Sequence, residues 1–170
     1  KHVGHHGSLI AGIIGALGNN NEGIAGLNWH VRLMLVRVLD ERGGSDSARV
    51  ARAIQYAVRN GAHIINLSFV GQNSDPRLLE ALSEAAARNV LVVAAAGNEK
   101  NGGLDLDLTP RYPFCYQEGI QKLAIGVASL DREDRKASFS NYGGSCVDIA
   151  APGIGIFGSE FFNMQELDFQ

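Results

Sequence analysis

Cysteine is scarce in this chain: two residues in 170, Cys115 and Cys146. Neither belongs to a Cys-x-x-Cys pair, which argues against a zinc site. Clustered positive charge is missing as well. Lys and Arg number 15 against 18 Asp and Glu, for a net charge of −3 with no basic run. The electrostatic footprint of a nucleic-acid-binding protein is therefore absent. No apolar stretch approaches the roughly 18–20 residues that span a bilayer. Neither nucleic acid nor membrane is an expected partner. There is no internal repeat and no low-complexity tract. What remains is the composition of a globular domain, 45% hydrophobic and 19% charged with 21 glycines. The length suits one domain with a substantial core.

The apolar pattern alternates between helix and strand. Residues 31–39 (VRLMLVRVL) read as a strand buried for most of its length. Asp46 or Ser47 caps a helix in which Val50, Ala53, Ile54, Ala57 and Val58 recur at helical spacing, and Gly61 sits where it ends. Residues 63–69 form a second strand. Asp75-Pro76 opens a second helix with Leu78, Leu79, Leu82 and Ala86 on its inner side, ended by Asn89. Residues 90–96 are a third strand, apolar on both faces, and 123–128 a fourth. Strands of this kind alternating with helices predict a parallel sheet covered on both sides. Ligands of such sheets bind beyond the carboxyl ends of the strands, and Ser68 and Asn98 lie at or just past two of those ends. Residues 97–111 form the longest irregular stretch.

His6 stands at the mouth of a helix over residues 9–16 (LIAGIIGA) that has no polar face and is therefore expected to be buried. The positive end of a helix disfavours imidazolium, which suits a histidine that accepts a proton. His2 and His5 are close by, but three histidines with no neighbouring carboxylate make a poor metal-ligand set. A nucleotide site is disfavoured too: the early glycine-rich stretches lack the P-loop lysine and follow no visible strand.

Seven segments in order resemble the subtilases, the subtilisin-like serine endopeptidases. Residues 6–12 (HGSLIAG) are similar to that family's H-G-T-x-V-A-G histidine motif. GIAG at 23–26 with VRVLD at 36–40 resembles its next strand, and NGAHIINLS at 60–68 its N-G-A-x-V-I-N-x-S segment. AAAGN at 94–98 resembles A-A-G-N. Tyr112-Pro113, ASFSNYG at 137–143 and VDIAAPG at 147–153 complete the series. The match runs over nearly the whole chain. Each piece is weak alone, and the order makes it specific.

The resemblance implies an α/β fold of three layers with a mostly parallel central sheet, truncated at both ends. The family's catalytic Asp precedes the histidine motif, and its nucleophilic Ser follows the A-P-G segment in a G-T-S-x-A motif. Neither is found in residues 1–170; Ser159 follows a glycine but lacks that motif. Residues 1–170 are thus expected to be a partial catalytic domain, inactive by itself. In a complete domain His6 would be the general base, and Asn98 would donate a hydrogen bond to the oxyanion. Ser68, Phe69, Val70 and Gly71 would pair with the substrate backbone and form one wall of the specificity pocket, with Ala95, Ala96 and Gly97 opposite. Val70 stands where the family commonly has Gly and should narrow the pocket, as should Phe114. Glu99 would lie near its floor, favouring a basic side chain or serving simply as a solvated loop charge.

The resemblance also implies a disulfide between Cys115 and Cys146 and, with it, a secreted or extracytoplasmic enzyme. The chemistry needs no cofactor. A structural calcium is implied at two places, by Asp148 with backbone carbonyls near Phe114 and Tyr116, and by the loop at residues 18–23. The expected partner is a polypeptide substrate, and the expected state a monomer. The competing reading is a catalytically inactive subtilase-like module that binds peptides or acts as scaffold.

Overall fold

The structure, a computed structural model, describes residues 6–40 and 42–158. His2, His5 and Ser159 lie outside the described residues. The chain divides into two compact units, residues 1–44 with 156–170, and residues 45–155. Each is described by itself.

In the first unit, α1 spans His6–Gly15. Its last carbonyls are capped by the returning chain: the N–H groups of Gly26, Leu27 and Asn28 donate to Ala16, Ile13 and Ile14, each at 2.9 Å. A glycine is required at position 26, because a Cβ there would lie 2.4 Å from the Ala16 nitrogen. The expectation of a buried helix is corrected. No residue of α1 is buried, and His6, Gly7 and Ser8 are exposed. Its described cover is partial, with Val31 and Leu33 lying against Gly15. The expected strand at 31–39 is also corrected. It enters no ladder among the described residues, and apolar patterning alone does not make a strand.

The second unit carries α2 (Ser47–Arg59), β1 (Ile64–Leu67), α3 (Pro76–Ala87), β2 (Leu91–Ala95), β3 (Gln117–Glu118), β4 (Gln121–Lys122), β5 (Ile125–Leu130) and β6 (Val147–Pro152). Asp46 caps α2 by accepting from Arg49 N at 2.7 Å. Asp75 caps α3 through Arg77 N at 2.9 Å, with Pro76 at the first helical position. Gly61 and Asn89, past the two helix ends, have φ of 80° and 56°, the left-handed exits that Gly and Asn tolerate.

The sheet order is β1-β2-β5-β6, parallel throughout. One face brings Ile65, Leu67, Val92, Ala94 and Ala128 into a core with α2 and α3, around Ile54, Ala81, Leu82 and Ala85. Burying a leucine as completely as Leu82 is worth roughly 2 kcal/mol. The other face bears Ile64 and Leu91, which are 64% and 43% exposed, so within the described residues only one face is fully covered. β3 and β4 form a small antiparallel hairpin. The resulting frame sets the carboxyl ends of β1 and β2 side by side, with Leu67 opposite Ala94.

Candidate active site

Ser68, Phe69, Val70 and Gly71 continue directly from β1, and Ala95, Ala96, Gly97 and Asn98 end or follow β2. The pairing of the two strands therefore brings both expected walls and Asn98 to one sheet end. Gly71 is tied to Tyr112 by two backbone hydrogen bonds of 2.8 and 3.0 Å. On β1, Asn66 donates through Nδ2 to Ser68 Oγ at 2.8 Å. Val70 reaches across to the other wall: a Cβ on Gly97 would stand 2.8 Å from Val70 Cγ2. Gly97 has φ of 91°, a conformation natural only to glycine.

Asn98 is held by its backbone. Residues 97–99 run beside 139–141, with Asn98 opposite Ser140 in an antiparallel bridge. Asn141 N donates to Gly97 O at 3.0 Å and Glu99 N to Phe139 O at 2.8 Å. Asn141 is fully buried. Its carboxamide donates to Ala96 O and accepts from Leu104 N, both at 2.9 Å. The Lys136 ammonium gathers three carbonyls, of Gly102, Ala137 and Ser140, at 2.9–3.1 Å. Asn98 itself remains exposed at the end of this clamp. Sequence reasoning assigned nothing to Asn141 or Lys136. Asn141 lay within a quoted motif, whereas Lys136 gave no signal in pattern or spacing.

His6 is the first residue of α1 and belongs to the other unit. Phe114 is corrected: it is fully buried in the core against Gly126 rather than narrowing a pocket. Glu99 pairs with Arg111, its Oε1 3.7 Å from the guanidinium. Cys115 and Cys146 are joined by a disulfide with Cα atoms 4.8 Å apart.

Of the two places expected to hold calcium, the one at Asp148 does not fit it. Asp148 Oδ1 lies 2.5 Å from the Lys122 ammonium and Oδ2 accepts from Gly126 N at 2.8 Å, so a resident cation already serves this carboxylate. The Tyr116 carbonyl accepts from Leu123 N. In the loop at 18–23, the Asn20 carboxamide oxygen turns onto Glu22 N at 3.1 Å, a local Asx turn. Among the described residues no three His, Cys, Asp or Glu converge.

A parallel sheet with helices against it, whose strand ends carry an exposed, backbone-clamped Asn, is the architecture of a subtilisin-like α/β domain. The sequence comparisons agree: a profile of the subtilase family matches residues 1–166, and the chain belongs to that family. It is 43% identical over 152 residues to thermitase of Thermoactinomyces vulgaris, covering 89% of this chain and 50% of that protein. It is 36% identical over 151 residues to subtilisin Savinase of Lederbergia lenta, covering 89% and 51%. Among solved structures it is similar to the S218A mutant of the protease domain of PatA, with a TM-score of 0.76 and 31% identity over 91% of this chain and 54% of that one. The chain thus spans between about a third and a half of the length of the curated relatives it matches.

Proposed function

We propose that this chain contributes the general base and an oxyanion donor to a serine endopeptidase, with the catalytic Asp and Ser supplied by parts of the protein outside residues 1–170. His6 would take the proton from the serine hydroxyl as it attacks the peptide carbonyl, then deliver it to the leaving amine. Asn98 would donate its carboxamide N–H to the oxyanion of the tetrahedral intermediate. Ser68 to Gly71 would add the substrate as a strand, and Ala95 to Gly97, without long side chains, would let its backbone approach. No step needs a cofactor or metal.

The observation that carries this reading is the clamped Asn98. Electrostatic stabilisation of a transition state works only when the donor is fixed before the reaction. The paired segments 97–99 and 139–141 fix the backbone that carries this one, at an exposed residue. The relatives' names, thermitase and subtilisin Savinase, are those of proteases and support the same class. The disulfide supports a location in an oxidising compartment outside the cytoplasm. Among the described residues, no helix is long and apolar enough to cross a membrane.

The test is to express the chain with the flanking sequence its reading frame carries and treat it with a fluorophosphonate serine probe. Labelling is expected, and it should disappear on His6→Ala. A folded protein that takes no label would instead be a peptide-binding or scaffold module.

A further inference from the structure

We propose that Arg111 is the specificity-determining residue of this cleft, and that it makes the pocket between the two walls select an acidic side chain, Glu or Asp. The proposal rests on the reading of residues 68–71 and 95–97 as substrate-binding walls. Arg111 joins them. Its neighbour Tyr112 is hydrogen-bonded both ways to Gly71, the end of the first wall. Its guanidinium faces Glu99, which follows Asn98 just past the second. A positive charge therefore lies beside Glu99, two residues past the second wall, on a segment paired to the end of the first.

The backbone of Arg111 is also anchored. Its carbonyl accepts from Cys115 N at 3.2 Å and its N–H points to Cys115 Sγ at 3.4 Å, in a turn anchored by the Cys115–Cys146 disulfide. Its side chain is only 12% exposed, whereas that of Glu99 is 45% exposed. A guanidinium carries five donors in a planar fork. The Glu99 carboxylate, at 3.7 Å, lies beyond hydrogen-bond range of it. A largely desolvated cation with a loose partner is poised for a closer one, and a carboxylate can meet the fork with two parallel bonds. Glu99, half in solvent, can swing aside. It is the internal occupant of the position that an acidic substrate side chain would take. A lysine or arginine side chain would meet the Arg111 charge instead, which reverses the preference that Glu99 alone suggests.

The test uses the chain expressed with its flanking sequence. Three acetylated tripeptides, identical except for a C-terminal Glu, Gln or Lys, are titrated into it by calorimetry. The same three sequences are offered as p-nitroanilides. The Glu peptide should bind about tenfold tighter than the Gln peptide, the gain of one good charge-assisted contact, and the Lys peptide more weakly than either. Arg111→Gln should erase the gap between Glu and Gln and relieve the penalty on Lys. Glu99→Gln, a change at a half-exposed side chain, should widen the gap by removing the internal competitor. Equal binding of Glu and Gln, tightest binding of Lys, or a gap that survives Arg111→Gln would each overturn the proposal. So would Arg111→Gln weakening all three peptides alike, since that marks a merely structural residue. If the Glu preference stands but no anilide is cleaved, the selectivity holds and the hydrolytic function fails. If no peptide binds the folded protein, both fail.

Discussion

The side chain of Asn141 donates to the carbonyl of Ala96 across 2.9 Å, joining two loops separated by 45 residues of sequence. The same carboxamide accepts from Leu104 N, and its backbone N–H donates to Gly97 O. One fully buried residue thus fixes the strand end from which Asn98 projects. Asn141→Ala would leave the Ala96 carbonyl and the Leu104 N–H without these partners. An unsatisfied buried group costs about 1–3 kcal/mol, so a loss of roughly 2 kcal/mol is expected in chemical denaturation. Asn141→Asp should be no better, because a carboxylate there faces the Ala96 carbonyl oxygen. Unchanged stability in both variants would mean that Asn141 does not organise this loop.

Gly97 makes a different demand on the same strand end. Its φ of 91° strains any L-residue, and a Cβ would lie 2.8 Å from Val70 Cγ2 and 2.9 Å from Asn141 Nδ2. Gly97→Ala should cost about 1–2 kcal/mol from backbone strain alone, with the contacts adding to it. Adding Val70→Ala should recover only part of the loss, because it relieves one contact and leaves both the strain and the Asn141 contact. A thermal-melt double-mutant cycle measures the split. Full recovery would show that backbone strain contributes nothing at this position.

These two residues mark what the sequence made legible and what it did not. The helices at Ser47–Arg59 and Pro76–Ala87 could be read because caps, apolar spacing and exits are local signals, and Asp46, Asp75, Gly61 and Asn89 all behave as such signals require. Three of the parallel strands followed from continuous apolar runs. The strand expected at 31–39 enters no ladder among the described residues, because pairing depends on neighbours as well as on the segment itself. The expected burial of α1 failed for a similar reason: an apolar composition shows that a face wants cover, not that the described residues supply it. In the site, Asn98 and its walls could be found through motif order. Asn141, Lys136 and the Arg111–Glu99 pair could not. Their partners include residues 12, 34 and 45 positions away, and no periodicity encodes a contact of that kind. Phe114 was misread because its motif position said nothing about which way the ring points.

The Cys115–Cys146 bridge closes a loop with a sequence separation of 31. In the chain-entropy account, such a crosslink stabilises the native state by about 3–4 kcal/mol through the constraint it puts on the unfolded chain. The double substitution Cys115→Ser with Cys146→Ser should therefore lower stability by that order. Because Arg111 sits in the turn leading to Cys115, the same variant should also weaken discrimination between acidic and neutral peptides. Denaturation midpoints with and without reductant check the first expectation. If reduction leaves the midpoint unchanged, the bridge adds no stability.

Acid should act on the amino end of α3. The Asp75 carboxylate is held down to a pKa of about 2, first by hydrogen bonds from the Arg77 side chain and then by the Arg77 backbone N–H. An unfolded Asp titrates near 3.9. A group whose folded pKa is depressed adds stability that is fully present above the unfolded value and is lost as pH falls towards the folded one. The Asp75 contribution should therefore fade between about pH 4 and pH 2. Its size is modest, since Arg77 lies largely in solvent and screening weakens such pairs. Asp75→Asn keeps a side chain able to cap the helix but removes the charge. Its stability should be lower at neutral pH and should vary less with pH across this window, so that the two curves converge near pH 2. Parallel curves from pH 5 to pH 2 would mean that the capping carboxylate is not linked to folding, and that the acid sensitivity of the domain resides in other carboxylates such as Asp107, which is lowered chiefly by hydrogen bonds from Ser145.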